Sequence, residues 1–111
     1  MLTVEFDMDE FKYNLNALTY AEFKIWVAIK LRIMDMEAQN AAASDWWSCV
    51  VKKADLVDDT EMSFRWIVEA TKSLVGKGFF RRRIDRVTRA WVYTEPRVLP
   101  YQVRKRTRRA A

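Results

Sequence analysis

The residues of this chain best equipped for chemistry are its arginines. Arg81, Arg82 and Arg83 are consecutive, Arg86 and Arg89 follow closely, and Arg104, Lys105, Arg106, Arg108 and Arg109 put five positive charges into six residues near the C-terminus. Residues 81–111 hold eleven Lys/Arg against two Asp/Glu, whereas residues 1–80 hold nine against thirteen. A guanidinium offers a planar fork of donors and stays charged at physiological pH, so such a cluster is suited to holding a polyanion. Localised basic charge points to nucleic acid or an anionic membrane, with a solvated, solubilising tail as the plain alternative.

Acid–base and metal chemistry are poorly provided for. The chain has no histidine and Cys49 is its only cysteine, so neither a disulfide nor a Cys/His zinc site can be built within one chain. No glycine-rich phosphate loop is present, and Asp58 and Asp59 fall in an ordinary-looking turn. The chain therefore reads as a non-enzyme with no cofactor, no metal and no small-molecule substrate. Cys49 reads as a buried structural thiol, and a reducing, cytoplasmic location is the expectation. The N-terminus lacks a charged n-region and an apolar h-region, and apolar runs are short, so neither a secretory signal nor a membrane span is expected.

Something must position the arginines. With 111 residues, half of them apolar, and only two Gly and two Pro, one folded domain with one core is expected. Thr19 and Glu22 spell a T-x-x-E capping box, with Leu18 and Phe23 as its hydrophobic staple. Phe23, Trp26, Val27, Ile29, Leu31, Ile33 and Met34 then predict a first helix buried around much of its circumference. Ala38–Ser44 reads as its frayed end, and Trp46-Trp47-Ser48-Cys49 as a short strand. Either tryptophan of that strand could stack on a base, but core burial is the stronger reading, as it is for Trp26, Trp66 and Trp91. Val50–Val57 reads as a second short helix with Val50, Val51, Ala54 and Val57 inward and Lys52, Lys53 and Asp55 outward. Asp58-Asp59-Thr60 follows as an acidic turn that would repel phosphate.

Ser63 is placed to cap a third helix whose Ile67, Ala70, Thr71 and Leu74 share one face, with Gly76 and Gly78 ending it. At about 100° per residue, Arg65, Glu69 and Lys72 project from the opposite face. Arg65 can read guanine with two hydrogen bonds and Lys72 can contact phosphate, while Glu69 can accept from cytosine or pair with Arg65 one turn earlier. Phe79–Ile84 and Ala90–Thr94 are β-type runs around a short turn, a hairpin whose tip carries Arg86 and Arg89.

The stretch Ser63-Phe-Arg-Trp-Ile-x3-Thr-x2-Leu-x3-Gly-Phe-Phe resembles the winged helix-turn-helix family, and the resemblance covers about residues 18–95. The opening Leu18-Thr-Tyr-Ala-Glu-Phe-Lys-Ile-Trp is similar to the first helix of winged-helix domains in phage and plasmid replication initiators and replisome organisers. The resemblance implies an α+β fold of three helices, a β-hairpin wing and a short extra strand. It implies double-stranded DNA as partner, the third helix in the major groove, and the wing on the backbone or minor groove. Arg65, Lys72, Arg81, Arg82, Arg83, Arg86 and Arg89, with the tail residues Arg104, Lys105, Arg106, Arg108 and Arg109, become the expected contacts, in transcription control or in replication or maintenance of a mobile element. The chain differs from the pattern in two places: the segment before Ser63 reads as longer than a tight turn and acidic, and Trp66 stands where a small residue is expected.

Two segments flank residues 18–95. Residues 1–17 form an arm, with Leu2, Val4 and Phe6 alternating as a strand before an acidic run, either packed on the domain edge or serving dimerisation. The first helix is the other candidate dimer surface. In residues 96–111, Pro96 and Pro100 stop regular structure and the basic run is expected to order only on an anion, entering a minor groove as flexible arms do. Competing readings are a protein-binding adaptor working through the acidic face or the arm, and RNA binding through the tail.

Overall fold

The computed structural model describes residues 7–39, 48–96 and 98–103. In chain order the elements are α1 (Met8–Ala17), α2 (Tyr20–Gln39), β1 (Ser48–Val51), α3 (Lys53–Thr60), α4 (Phe64–Gly76), β2 (Arg81–Ile84) and β3 (Trp91–Thr94). A single helical turn follows at 100–103. The α+β expectation holds: helices pack on one antiparallel sheet of order β1-β3-β2. The expected strand at Leu2–Phe6, the two tryptophans Trp46 and Trp47, and the basic run from Arg104 to Arg109 lie outside the described residues.

The capping box forms as spelled, with the Thr19 amide donating to Glu22 (2.9 Å) and the Glu22 amide to the Thr19 hydroxyl (3.3 Å). From that start α2 runs through the centre of the molecule. Its Ile25, Ile29 and Ile33, four residues apart, are completely buried, as are Leu56 of α3, Ile67 and Leu74 of α4, and Tyr93 of β3. Burial of each such side chain contributes roughly 1.5–3 kcal/mol. In the sheet, β3 lies in the middle, and the register sets Cys49 and Arg82 opposite Tyr93, and Val51 and Ile84 opposite Trp91. Strand alternation therefore sends Cys49, Val51, Tyr93 and Trp91 to one face, and Arg81 and Arg83 to the other.

Residues 8–17 do not form an extended arm. Asp7 caps α1 by accepting from the amides of Asp9 (2.9 Å) and Glu10 (3.4 Å), and Asp9 and Glu10 place negative charge in the first turn, where the helix dipole favours it. Phe11 meets Phe23 of α2 edge-on at 5.3 Å between ring centroids. The rest of the docking is polar: Glu10, 2% exposed, reaches Lys30 of α2 at 3.4 Å, and Lys30 also binds Glu95 beyond β3. One lysine thus joins three parts of the chain. Burial raises the Glu10 pKa against the pull of Lys30, and the nearby Glu95 adds to the rise.

A second polar cluster ties α2 to α4. Glu22 accepts from the Ser73 hydroxyl and, at 2.9 Å to each oxygen, from the Lys77 ammonium. Burial works against its charge, but the hydrogen bonds from Ser73, the Thr19 amide and Lys77 win and hold its pKa at about 2.

The segment after Cys49 departs from expectation. Val50 and Val51 belong to β1, and the helix starts at Lys53 and continues through Asp58, Asp59 and Thr60. Leu56 and Thr60 are its buried residues, while Ala54 faces out. In β1 strand alternation buries Val51 but leaves Val50, expected inward, 51% exposed on the other face. Asp58-Asp59-Thr60 is therefore the last helical turn, and Asp59 is occupied, gripped by Arg32 of α2 at 2.7 and 3.1 Å. Among the described residues no helix is long and apolar enough to cross a membrane, and no His/Cys/Asp/Glu group could hold a metal ion.

Candidate nucleic-acid interface

Because α3 extends to Thr60, only Glu61, Met62 and Ser63 separate it from α4. The connection is short after all, in the range of a helix-turn-helix. It turns on Glu61, whose φ of 57° is left-handed, and its amide closes α3 on the Val57 carbonyl. Ser63 then caps α4, accepting from the Trp66 amide at 3.4 Å. Ile67, Ala70, Thr71 and Leu74 are buried as the spacing requires. The far end is a Schellman stop: the Phe79 amide donates to the Leu74 carbonyl (3.0 Å), the Gly78 amide to that of Val75 (3.1 Å), and Gly78 has φ +85°. That stop turns the chain directly into β2.

With its inner face fixed, α4 presents Arg65, Glu69 and Lys72 to solvent, all exposed. Arg65 and Glu69 form no salt bridge, so the surface ion pair expected as an alternative is absent among the described residues. Trp66 departs from expectation. It is 61% exposed, beside Phe64 at 54%, because its position falls on the flank rather than the Ile67 face.

Between α4 and the hairpin lies a seam of alternating cations and rings. The Lys53 ammonium is 5.2 Å from the Phe64 ring centre and 4.7 Å from that of Trp91. The Arg82 guanidinium sits 4.5 Å from the Trp91 ring and donates to the Thr71 hydroxyl of α4 at 3.3 Å. Each contact uses the negative face of an aromatic ring to hold a positive group without a carboxylate, leaving its charge uncancelled. Arg82 is thus half-buried and pinned to the seam, unlike Arg81 and Arg83, which stand exposed on the other face of the hairpin. Beneath the seam the Tyr93 hydroxyl is fully buried near Thr71 and Arg82, makes no well-formed hydrogen bond, and has its pKa raised by burial.

The hairpin tip is rigidly built. Asp85 accepts from the Val87 amide (3.2 Å) and the Thr88 hydroxyl (2.7 Å), bonds that hold its pKa below the ordinary range, chiefly the one from Thr88. Its backbone pairs with Ala90 (2.9 Å) and Arg89 (2.8 Å), and Arg89 adopts φ 61° to close the turn. Arg86, Val87 and Arg89 are displayed outward, with Val87 89% exposed. Arg65, Lys72, Arg81, Arg83, Arg86 and Arg89 are all exposed and none makes a salt bridge among the described residues.

Reasoning from sequence overlooked Lys53 as part of this surface, since only the return of β3 beside the start of α3 brings it onto Trp91. It also missed the exposure of Trp66, which its flank position on the helical wheel signals. Compared with protein-family models, with curated proteins and with solved structures, the chain finds no match in any of the three.

Proposed function

We propose that this chain is a winged helix-turn-helix protein that binds double-stranded DNA, in transcription control or in replication of a mobile element. In this reading α4 enters the major groove, where Arg65 reads guanine and Lys72 contacts phosphate. The β2–β3 hairpin is the wing, its Arg81, Arg83, Arg86 and Arg89 on the backbone or minor groove, and the positive charges of the Arg104–Arg109 run add affinity. Lys53 and Arg82, fixed on Trp91, supply positive potential at the join between helix and wing.

The observation that carries the reading is that the exposed cations of α4 and the hairpin make no salt bridge among the described residues, in a chain whose other lysines and arginines include several held by carboxylates. Clustered like charges repel, and a phosphate backbone relieves that repulsion while releasing its counterions. The three-residue connection Glu61-Met62-Ser63 also supports it, because it removes the departure in turn length.

Binding of Arg65→Ala to a selected duplex and to random duplexes tests the groove assignment. Loss of about 1–3 kcal/mol on the selected site, with little change on random DNA, is expected of a base contact. Equal loss on both, or none, would show that α4 reads no bases. Stronger binding of duplex RNA than of duplex DNA would move the assignment to RNA.

A further inference from the structure

The first turn of α4 carries two rings that the core does not use. Phe64, Arg65 and Trp66 are consecutive and all exposed, Trp66 at 61% and Phe64 at 54%. Large aromatics are highly buried on average, so a pair left in water on one helical turn calls for an occupant. At about 100° per residue Phe64 and Trp66 stand on opposite flanks of Arg65, so its guanidinium projects between two rings. Lys53 lies over the Phe64 ring at 5.2 Å, and Trp66 makes no ring or cation contact among the described residues. The Ser63 cap and the buried Ile67 fix the turn from which all three project.

We propose that Trp66 and Phe64 are specificity-determining residues, packing on the C5-methyl groups of thymines beside the guanine that Arg65 reads. This role rests on α4 being the helix in the major groove, where first-turn residues meet base edges and apolar side chains take the thymine methyl. Charge selects DNA over a second copy of this chain as the occupant. Residues 64–94 hold eight Lys/Arg against two Asp/Glu, so two copies meeting there would repel, whereas a polyanion is drawn in. Geometry selects a base edge over an unpaired base. Stacking on either ring requires a base pulled from the duplex at the cost of its pairing, and rings on opposite flanks of a helix cannot sandwich one base. Flanking a central arginine, they meet instead the base pairs on each side of the guanine.

Binding of the full chain to a duplex it selects from a random pool, and to the same duplex with uracil in place of each thymine, tests the proposal. Uracil keeps the base pairing and removes only the methyl. The selected sites are expected to carry thymine beside guanine, and the native chain to lose about fourfold in affinity for each contacted methyl removed. Trp66→Ala should shrink that difference and Trp66→Ala with Phe64→Ala should erase it, with the melting temperature and the binding of random duplexes at low salt little changed. Selected sites without thymine beside guanine, equal affinity of the native chain for the two duplexes, or a difference that survives in the double variant would overturn the proposal; binding of random duplexes that still falls with salt would then leave the DNA-binding reading standing without it. Tighter binding of single-stranded than of duplex DNA, lost in Trp66→Ala, would overturn it in favour of stacking. No binding to any duplex at low ionic strength would overturn both readings together.

Discussion

Lys30 on α2 is 7% exposed and held between Glu10 and Glu95, whereas Arg83, Arg86 and Arg89 on the hairpin stand in solvent with no salt bridge among the described residues. The same fold handles its charges in two ways. Around α2 each buried charge has a partner, because an ion inside a core without one is strongly destabilising. On α4 and the hairpin the cations are either exposed or laid on aromatic rings, arrangements that leave the positive potential available to a ligand. Position in the fold, more than residue type, separates charges paired inside the fold from charges left to solvent.

The largest effect on stability belongs to the buried side of this comparison. Lys30→Met strands Glu10 and Glu95, and should cost about 3 kcal/mol in chemical denaturation. Adding Glu10→Gln and Glu95→Gln should recover much of that loss; a cost under about 1 kcal/mol for Lys30→Met alone would mean that water already serves the cluster. Next comes Gly78→Val. A β-branched residue at φ +85° is strained even though the space around a Cβ there is open, so a loss of about 2 kcal/mol is expected. An unchanged melting temperature would contradict the left-handed stop.

Smaller effects come from the Glu22 cluster. Its folded pKa of about 2 lies below the ordinary 4.5, so it stabilises the fold above about pH 4.5 and that contribution is lost as pH falls toward 2. Glu22→Gln should therefore flatten the stability profile between those values, and an unchanged slope would mean that the hydrogen bonds do not hold the charge. Glu10, raised by burial, works in the opposite sense and gains stability as it takes up a proton. Thr19→Ala should cost about 1 kcal/mol and be less than additive with Glu22→Ala, because the two share one capping box. Smallest of all, Arg83→Ala, Arg86→Ala and Arg89→Ala should each shift stability by no more than about 0.5 kcal/mol. A larger loss from any of them would place that arginine in the structural class.

The parts of the fold that announced themselves in sequence are those whose signals are local. The Thr19–Glu22 box, the Ser63 cap, the Ile67 face and the glycine stop each depend on residues within a turn or two, and each forms as spelled. Helix α1 was invisible to apolar periodicity because its most buried positions are Glu10 and Asn14, whose burial is intelligible only with Lys30 beside Glu10. The boundary between β1 and α3 was misplaced because Val50 and Val51 suit either element, and pairing with Val92 and Trp91 of β3 decides it. The same return of β3 makes Lys53 part of the seam. The arginines were legible as a cluster, but their division into the pinned Arg82 and the exposed Arg81 and Arg83 follows from sheet alternation, and only the register fixes its phase.

Binding of DNA as proposed requires that the exposed cations of α4 and the hairpin hold a phosphate backbone. Its most direct test is the affinity of the full chain for a random duplex across a series of salt concentrations, set beside that of the Arg83→Ala/Arg86→Ala/Arg89→Ala variant at matched stability. Measurable binding is expected at low salt, falling linearly on logarithmic axes, with a slope reduced by about 0.9 for each contact the variant loses. Binding absent at low ionic strength, or a slope the same for both proteins, would contradict it.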